Sequence, residues 1–373
     1  MKFNLKIALG VTLVGYTFGF LGLHVLAQDK DFSPLENRTL TPVPIFSTSS
    51  FVNGSFGKTF ESYIADQFPY RDNFISIKAY SELALQKKDN NGVYIGKDDY
   101  FLQNFDSPNF DVIQKNANYL NAFAENFNVS MLLAPTSTKV HADKLPPYAT
   151  SYDDALYINS LYDKLSDKIN KVNVLDTLLA KNKEYIYYKT DHHWTSLGAY
   201  YAYTTWAESV GIKPLALSDF NIKEVSNSFY GSLFSKGNFT FASPDTVSIF
   251  ESKKPVDVTV NYVNDNKVVN SLYNFDYLKE KDHYSIFLDS NHPLITVKTS
   301  VNNDKKLLVI KDSYANSMIP FLIHHYEEIH IMDLRFLNMP ITTYAHQNGI
   351  KDVLFIYNTQ GFNTEVKYSL LNR

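Results

Sequence analysis

In the stretch "YYKTDHHWTS" (187–196) an acid, two adjacent histidines and a tryptophan stand just ahead of a segment with helical spacing. Asp191 and His193 are two apart, so in extended chain they project to the same side and His192 to the other. A carboxylate beside an imidazole fixes its tautomer and makes it a general base; it then needs a hydroxyl to activate. Ser313, in "IKDSYANS", offers one. We assign Ser313 as nucleophile, His193 as base and Asp191 as orienting acid. The backbone N–H of Tyr314 and the amide of Asn358 are candidate oxyanion donors, and Arg335 is a candidate substrate contact.

Each piece has an ordinary reading too. "DSY" is a common helix cap, Asp-x-His is often structural, and Arg335 can simply neutralise Asp333. Trp194 and Tyr314 can stack on sugar rings or fill core, the latter being favoured for Trp194. His192 and His193 can ligate zinc, but no i,i+4 histidine pair or remote glutamate completes a familiar site, so no metal and no cofactor are expected. His324, His325 and His330 read as surface or packing residues.

What raises the serine reading is where the elements put these residues. Short β-rich pieces alternate with helical ones: "VSMLLA" (129–134), "VNVLD" (172–176), "YIYYK" (185–189), "KLLVIKD" (306–312), "EIHIMDL" (328–334) and "DVLFIYN" (352–358), with helices near 153–170, from Ser196, from Tyr314 and near 340–348. This predicts an α/β fold, a mostly parallel sheet flanked by helices. Ser313, Asp191 with His193, Arg335 and Asn358 all follow strand ends, where such sheets bind ligands. The alternation breaks over about 214–303, read as an inserted β-rich region. Ahead of it, "GVYIGKDDYFL" predicts a hairpin, and 60–85 one or two helices broken at Pro69. The catalytic domain is expected over 60–373.

A chain of 373 residues with 45% hydrophobic and 15% aromatic content can bury a large core. Its net charge of −4 provides no field for nucleic acid. The absence of cysteine excludes disulfides and thiol nucleophiles. From Ile7 to Ala27 the chain is almost uncharged and long enough to span a bilayer core of about 30 Å. We read 1–28 as a retained membrane anchor, with a cleaved signal peptide as the alternative, and 29–59 as a linker. Lys2 and Lys6 orient the anchor with the N-terminus in the cytoplasm, making a single-pass cell-membrane protein with its catalytic domain extracellular.

The pairing of "TDHHW" with a later "IKDSY" behind an N-terminal anchor resembles the DHHW proteins and the related alginate O-acetyltransferase proteins, whose catalytic domain is SGNH-hydrolase-like. "LENRTL" (35–40), "DQFPYRD" (66–72) and "APTSTKVHADKLP" (134–146) extend the resemblance. It implies a triad of Asp191, His193 and Ser313, in the reverse of the usual SGNH order, and O-acetylation of a cell-surface or secreted polysaccharide through an acetyl-serine. It also implies a partner, a multi-span membrane-bound O-acyltransferase that supplies acetyl groups. Lys311 stands where the usual glycine would precede "DS". An acetyl esterase with the same triad, or a non-catalytic envelope scaffold, are the competing readings.

Overall fold

A computed structural model describes residues 5–105 and 107–372; Lys2 of the N-terminal charge bias lies outside them. The chain forms two compact units, one running to Asn90 and including Asn238–Thr240, the other comprising Asn91–Gly237 and the chain from Phe241 onward.

The first unit contains α1 (Leu5–Leu26), a 22-residue helix with no buried side chain, long and apolar enough to cross a membrane. It also contains α2 (Ser55–Asp66) and α3 (Arg71–Ala84). Pro69 separates them as expected, because it lacks the N–H that a continuous helix needs. In the stretch before α2, Phe32–Ser33 pairs with Arg38–Thr39, and Thr48–Val52 forms a short helix. The carboxylate of Asp66 gathers this segment: it accepts from the Arg38 guanidinium and from the backbone and hydroxyl of Thr41. Those bonds, Arg38's first, hold it well below the usual carboxylate range.

The second unit begins with the expected hairpin, β1 (Val93–Ile95) and β2 (Phe101–Gln103). Its remaining strands are β3 (Asn128–Ala134), β4 (Asn170–Val172), β5 (Phe220–Phe229), β6 (Asp245–Ser252), β7 (Val258–Tyr262), β8 (Lys267–Val269), β9 (Leu294–Thr299), β10 (Lys306–Lys311), β11 (Glu328–Asp333) and β12 (Asp352–Asn358). Eight of them form one sheet in the order β8-β7-β9-β11-β10-β12-β3-β4. The five from β11 to β4 are parallel, whereas β9, β7 and β8 add antiparallel pairings. The sheet is therefore mixed. Three strands of the expected insertion extend it, and only β5 and β6 pair apart from it as a hairpin.

Successive residues of the central strands face opposite layers, as the pleat requires. Leu307, Val309, Leu354 and Ile356 pack with α4 (Ser196–Ser209), through Ala199, Ala202, Tyr203 and Trp206. Leu308, Ile310, Val353 and Phe355 pack on the other face with residues of the helix Phe110–Phe123.

Three local expectations fail. Of "VNVLD" only Val172 belongs to a strand, β4, and the chain is helical over Leu175–Ala180. "YIYYK" is not a sheet strand: its only bridge is Tyr187 with Trp194, and the amides of Lys189 and Thr190 donate to the Asp245 carboxylate. Its buried tyrosines are divided between two clusters, Tyr187 in one and Tyr188 in another, so its aromatic content serves packing rather than pairing. After Ser313 the chain makes a 3-10 turn (Ser313–Ser317) and one short helix (Ile319–Leu322) instead of a long helix.

Candidate active site

Ser313 follows β10 directly, in a turn capped by Asp312, whose side chain accepts from the backbone N–H of Tyr314 at 2.9 Å. Asp191 and His193 lie in the tight loop between the Tyr187 and Trp194 bridge partners. That loop is pinned at its base by Asp245, a buried carboxylate accepting from Lys189 N, from Thr190 N and Oγ1, and from the Tyr185 hydroxyl. Thr190 Oγ1 in turn accepts from Gly231 N at 3.0 Å.

The three side chains meet in sequence. His193 Nδ1 is 2.6 Å from Asp191 Oδ1, and His193 Nε2 is 2.8 Å from Ser313 Oγ. Asp191 also accepts from His193 N at 2.9 Å and from Ser232 N at 2.7 Å. Burial alone would raise its carboxyl, but the neighbouring charges of His193 and His192 and these hydrogen bonds hold it far below the usual range. A fixed carboxylate, an oriented imidazole and a hydroxyl at hydrogen-bond distance can together deprotonate the serine as it attacks an acyl carbon.

His192 does not point to the opposite side as alternation would have it: the loop bends here, and the His192 ring lies 3.8 Å from that of His193, with its Nδ1 3.7 Å from Asp191 Oδ1. Its Nδ1 contacts Ser232 Oγ at 2.6 Å, and burial pushes its ring down to about 3. Ligand atoms of Asp191, His192 and His193 all lie within 4.8 Å of one another, a spacing a metal ion could use. Each is already engaged, however: Asp191 with His193 and Ser232, His193 with Ser313, His192 with Ser232. A metal would have to displace the serine relay.

The two expected oxyanion donors are otherwise occupied. Tyr314 N and Asn358 Nδ2 both donate to Asp312, as does Asn358 N, all at 2.8–2.9 Å. Burial pushes the Asp312 carboxyl up to about 6 despite these bonds. Trp194 and Tyr314 are 0% and 1% exposed, so neither presents a face to a sugar. The Trp194 N–H donates to Tyr314 O at 2.9 Å, and the Tyr314 hydroxyl donates to His192 O, clamping the histidine loop onto the serine turn. Arg335 is paired with Asp333 through Nε at 2.9 Å and Nη2 at 2.6 Å, yet it also lines the cleft at Ser313. Lys311, in the place of the usual glycine, is wholly buried beneath, bonded to Asn291 at 2.8 Å; desolvation lowers it to about 8.

The cleft has a volume of about 600 Å³ and runs past Ser313, His192, Arg335, Asn358 and Gln360. Four contributors were missed in the sequence. Asp312 was adjacent to Ser313 but read only as part of a cap. Gly231 and Ser232 showed only a turn signal. Tyr284, whose ring stacks on His193, stands in "DHYSIF" with nothing local to mark it.

Comparison with known proteins covers most of this chain. A DHHW family protein from Eubacterium siraeum superimposes with a TM-score of 0.65 at 27% identity, over 76% of this chain and 95% of that one. Bacillus cereus PatB1, solved with a sulfonyl adduct, gives 0.64 at 21% identity, over 74% and 98%. No curated protein sequence matches. The family model described as DHHW protein matches residues 93–332, from the β1–β2 hairpin through the histidine loop and Ser313 into β11. By that match, the chain belongs to the DHHW protein family.

Proposed function

We propose that this protein is a membrane-anchored O-acetyltransferase that acetylates a cell-surface or secreted polysaccharide through an acetyl-Ser313 intermediate. The observation that carries the reading is the continuous relay Asp191–His193–Ser313, at 2.6 and 2.8 Å, opening on a long cleft. As Ser313 Oγ attacks the acetyl carbonyl, His193 Nε2 takes its proton. The tetrahedral adduct collapses to acetyl-serine, and His193 returns the proton to the departing group. A sugar hydroxyl then attacks the same carbonyl as His193 accepts its proton, and the second adduct collapses with His193 giving that proton to Ser313 Oγ, so the acetyl group leaves on the sugar and both residues are restored. The motif resemblance to alginate O-acetyltransferase proteins supports the choice of acetyl and polysaccharide. α1 is long and apolar enough to serve as the anchor, and the bias of Lys2 and Lys6 favours a site outside; the resemblance implies loading by a multi-span membrane-bound O-acyltransferase.

The test gives the full-length protein nitrophenyl acetate and a sugar oligomer. The expected result is an acetylated Ser313 peptide by mass spectrometry and an acetylated oligomer. An adduct that passes only to water, whatever the acceptor, would convert the proposal into an esterase. No adduct, and unchanged glycan acetylation in cells carrying Ser313→Ala, would leave a scaffold.

A further inference from the structure

α2 is two-faced. On its helical wheel Phe56, Phe60, Tyr63 and Ile64 share one side, while Ser55, Lys58 and Ser62 share the other. The apolar side is only partly covered: Phe60 is 44% exposed and Phe74 of α3 40%, while Phe56, Tyr63 and Ile64 are half-buried. Phe60, Ile64, Phe68, Phe74 and Ile75 line an open, mostly apolar groove between the two helices, with the charged Glu61 and Arg71 also in its lining. Water is a poor occupant for such a surface.

The contacts with α1 say what the occupant is. The Phe20 ring stacks on Phe68 with centroids 5.2 Å apart and planes 6° from parallel, and meets Phe74 at 5.9 Å. Phe20 lies about 9 Å along the helix axis before Leu26, the last residue of α1. If α1 spans a bilayer, Phe68 and Phe74 are held at the depth of Phe20, within the apolar layer. Tyr63 marks the boundary. Its ring meets His24 edge-on at 5.9 Å while its hydroxyl donates to Asp29, just past the end of α1. An aromatic ring with its apolar body turned inward and its hydroxyl on a charged group suits the headgroup level. Lys78 also lines the groove, with its ammonium held by Asn90 Oδ1 at 3.3 Å and Glu82 Oε1 at 3.4 Å.

We propose that α2 and α3 form a second membrane-binding element, immersed in the leaflet at the C-terminal end of α1, with lipid acyl chains filling the groove between them. It rests on the anchored reading of α1. The element lies flat in the interface and fixes how the chain leaves the membrane, where a lone span would let it swivel.

Because the chain has no cysteine, single cysteines can be placed and labelled with an environment-sensitive fluorophore in the full-length protein, reconstituted into phosphatidylcholine–phosphatidylglycerol vesicles. Phe60→Cys and Phe74→Cys report on the groove, Val11→Cys on α1, and Lys58→Cys and Ser62→Cys on the polar side of α2. Quenching by nitroxide-bearing lipid should be several-fold stronger at 60 and 74 than at 58 and 62, with aqueous iodide showing the opposite order. Strong lipid quenching at 11 with none at 60 and 74 would overturn the proposal while leaving the anchor intact. No lipid quenching at 11 would remove the anchor and the proposal together. Neither result touches the Ser313 chemistry, which the acetyl adduct reads separately.

Discussion

The imidazole of His193 lies flat on the ring of Tyr284, with centroids 3.8 Å apart and planes 10° from parallel. The Tyr284 hydroxyl is directed at the serine turn, donating to Ser313 O at 2.9 Å. One side chain thus supports both the base and the nucleophile. An aromatic face stabilises the imidazolium that forms when His193 takes a proton, by up to about 2 kcal/mol when desolvated. Tyr284→Leu should therefore lower kcat/KM by about 30-fold. Tyr284→Phe, which keeps the ring, should lose only a few-fold. Equal losses in the two variants would reduce Tyr284 to packing.

If Ser313 and His193 act as one unit, Ser313→Ala and His193→Ala should each cut turnover by about 10³-fold or more, and the double variant should cost little beyond either. Asp191→Asn should be comparably severe, because it favours the wrong His193 tautomer. His192→Ala should be mild. Additive losses in the double variant would argue that the two residues serve different steps.

A Cβ at Gly231 would sit 2.2 Å from Asp191 Cβ and 2.6 Å from Oδ2. No rotamer of Asp191 relieves contact with its own Cβ, so the loop must move. Gly231→Ala should reduce activity by about two orders of magnitude and lower the melting midpoint by several degrees. Gly57→Ala, in α2 with open space around it, should leave activity unchanged. Normal activity in Gly231→Ala would show that Asp191's position is not critical.

The ligand atoms around Asp191 are engaged in the serine relay, so activity toward an acetyl ester should survive exhaustive chelation. Loss on chelation, restored by added zinc, would reassign Asp191, His192 and His193 as a metal centre.

Asp312 gives a pH signature. Its folded value of about 6 is above the ordinary aspartate value of about 3.9, so the folded state holds the proton more tightly. That contribution is fully present below about pH 4 and lost as pH rises through 6, an effect on the order of 2–3 kcal/mol. Denaturant unfolding of Asp312→Asn should show a shallower fall in stability between about pH 4 and pH 7 than the unaltered protein. Parallel curves would mean that Asp312 titrates normally.

What could be read in advance followed the range of each interaction. The hairpin at Val93, the break at Pro69 and the facing of Asp191 and His193 are decided by neighbours in sequence, and they are visible there. Tyr284 reaches His193 only through folding, so no local pattern marked it. "YIYYK" misled because β-rich composition reports a buried, extended environment and not a paired one. The insertion's strands look the same whether they pair among themselves or extend an existing edge, which is how a mixed sheet was read as mostly parallel. The oxyanion assignment failed for a related reason: Asp312 takes the Tyr314 N–H as a local cap, but it captures Asn358 because β10 and β12 are adjacent, and adjacency is a property of topology.

That adjacency also constrains how the protein comes into being. β12, at residues 352–358, lies between β10 and β3, so it alone joins the early strands β3 and β4 to the later half of the sheet. A chain emerging N-terminus first can form the β1–β2 hairpin early, but it cannot close its sheet until residues 352–358 have appeared. Such non-local closure makes folding slow and leaves the edges of β3 and β10 unpaired in the meantime. Loss of residues 352–358 would therefore divide the sheet in two.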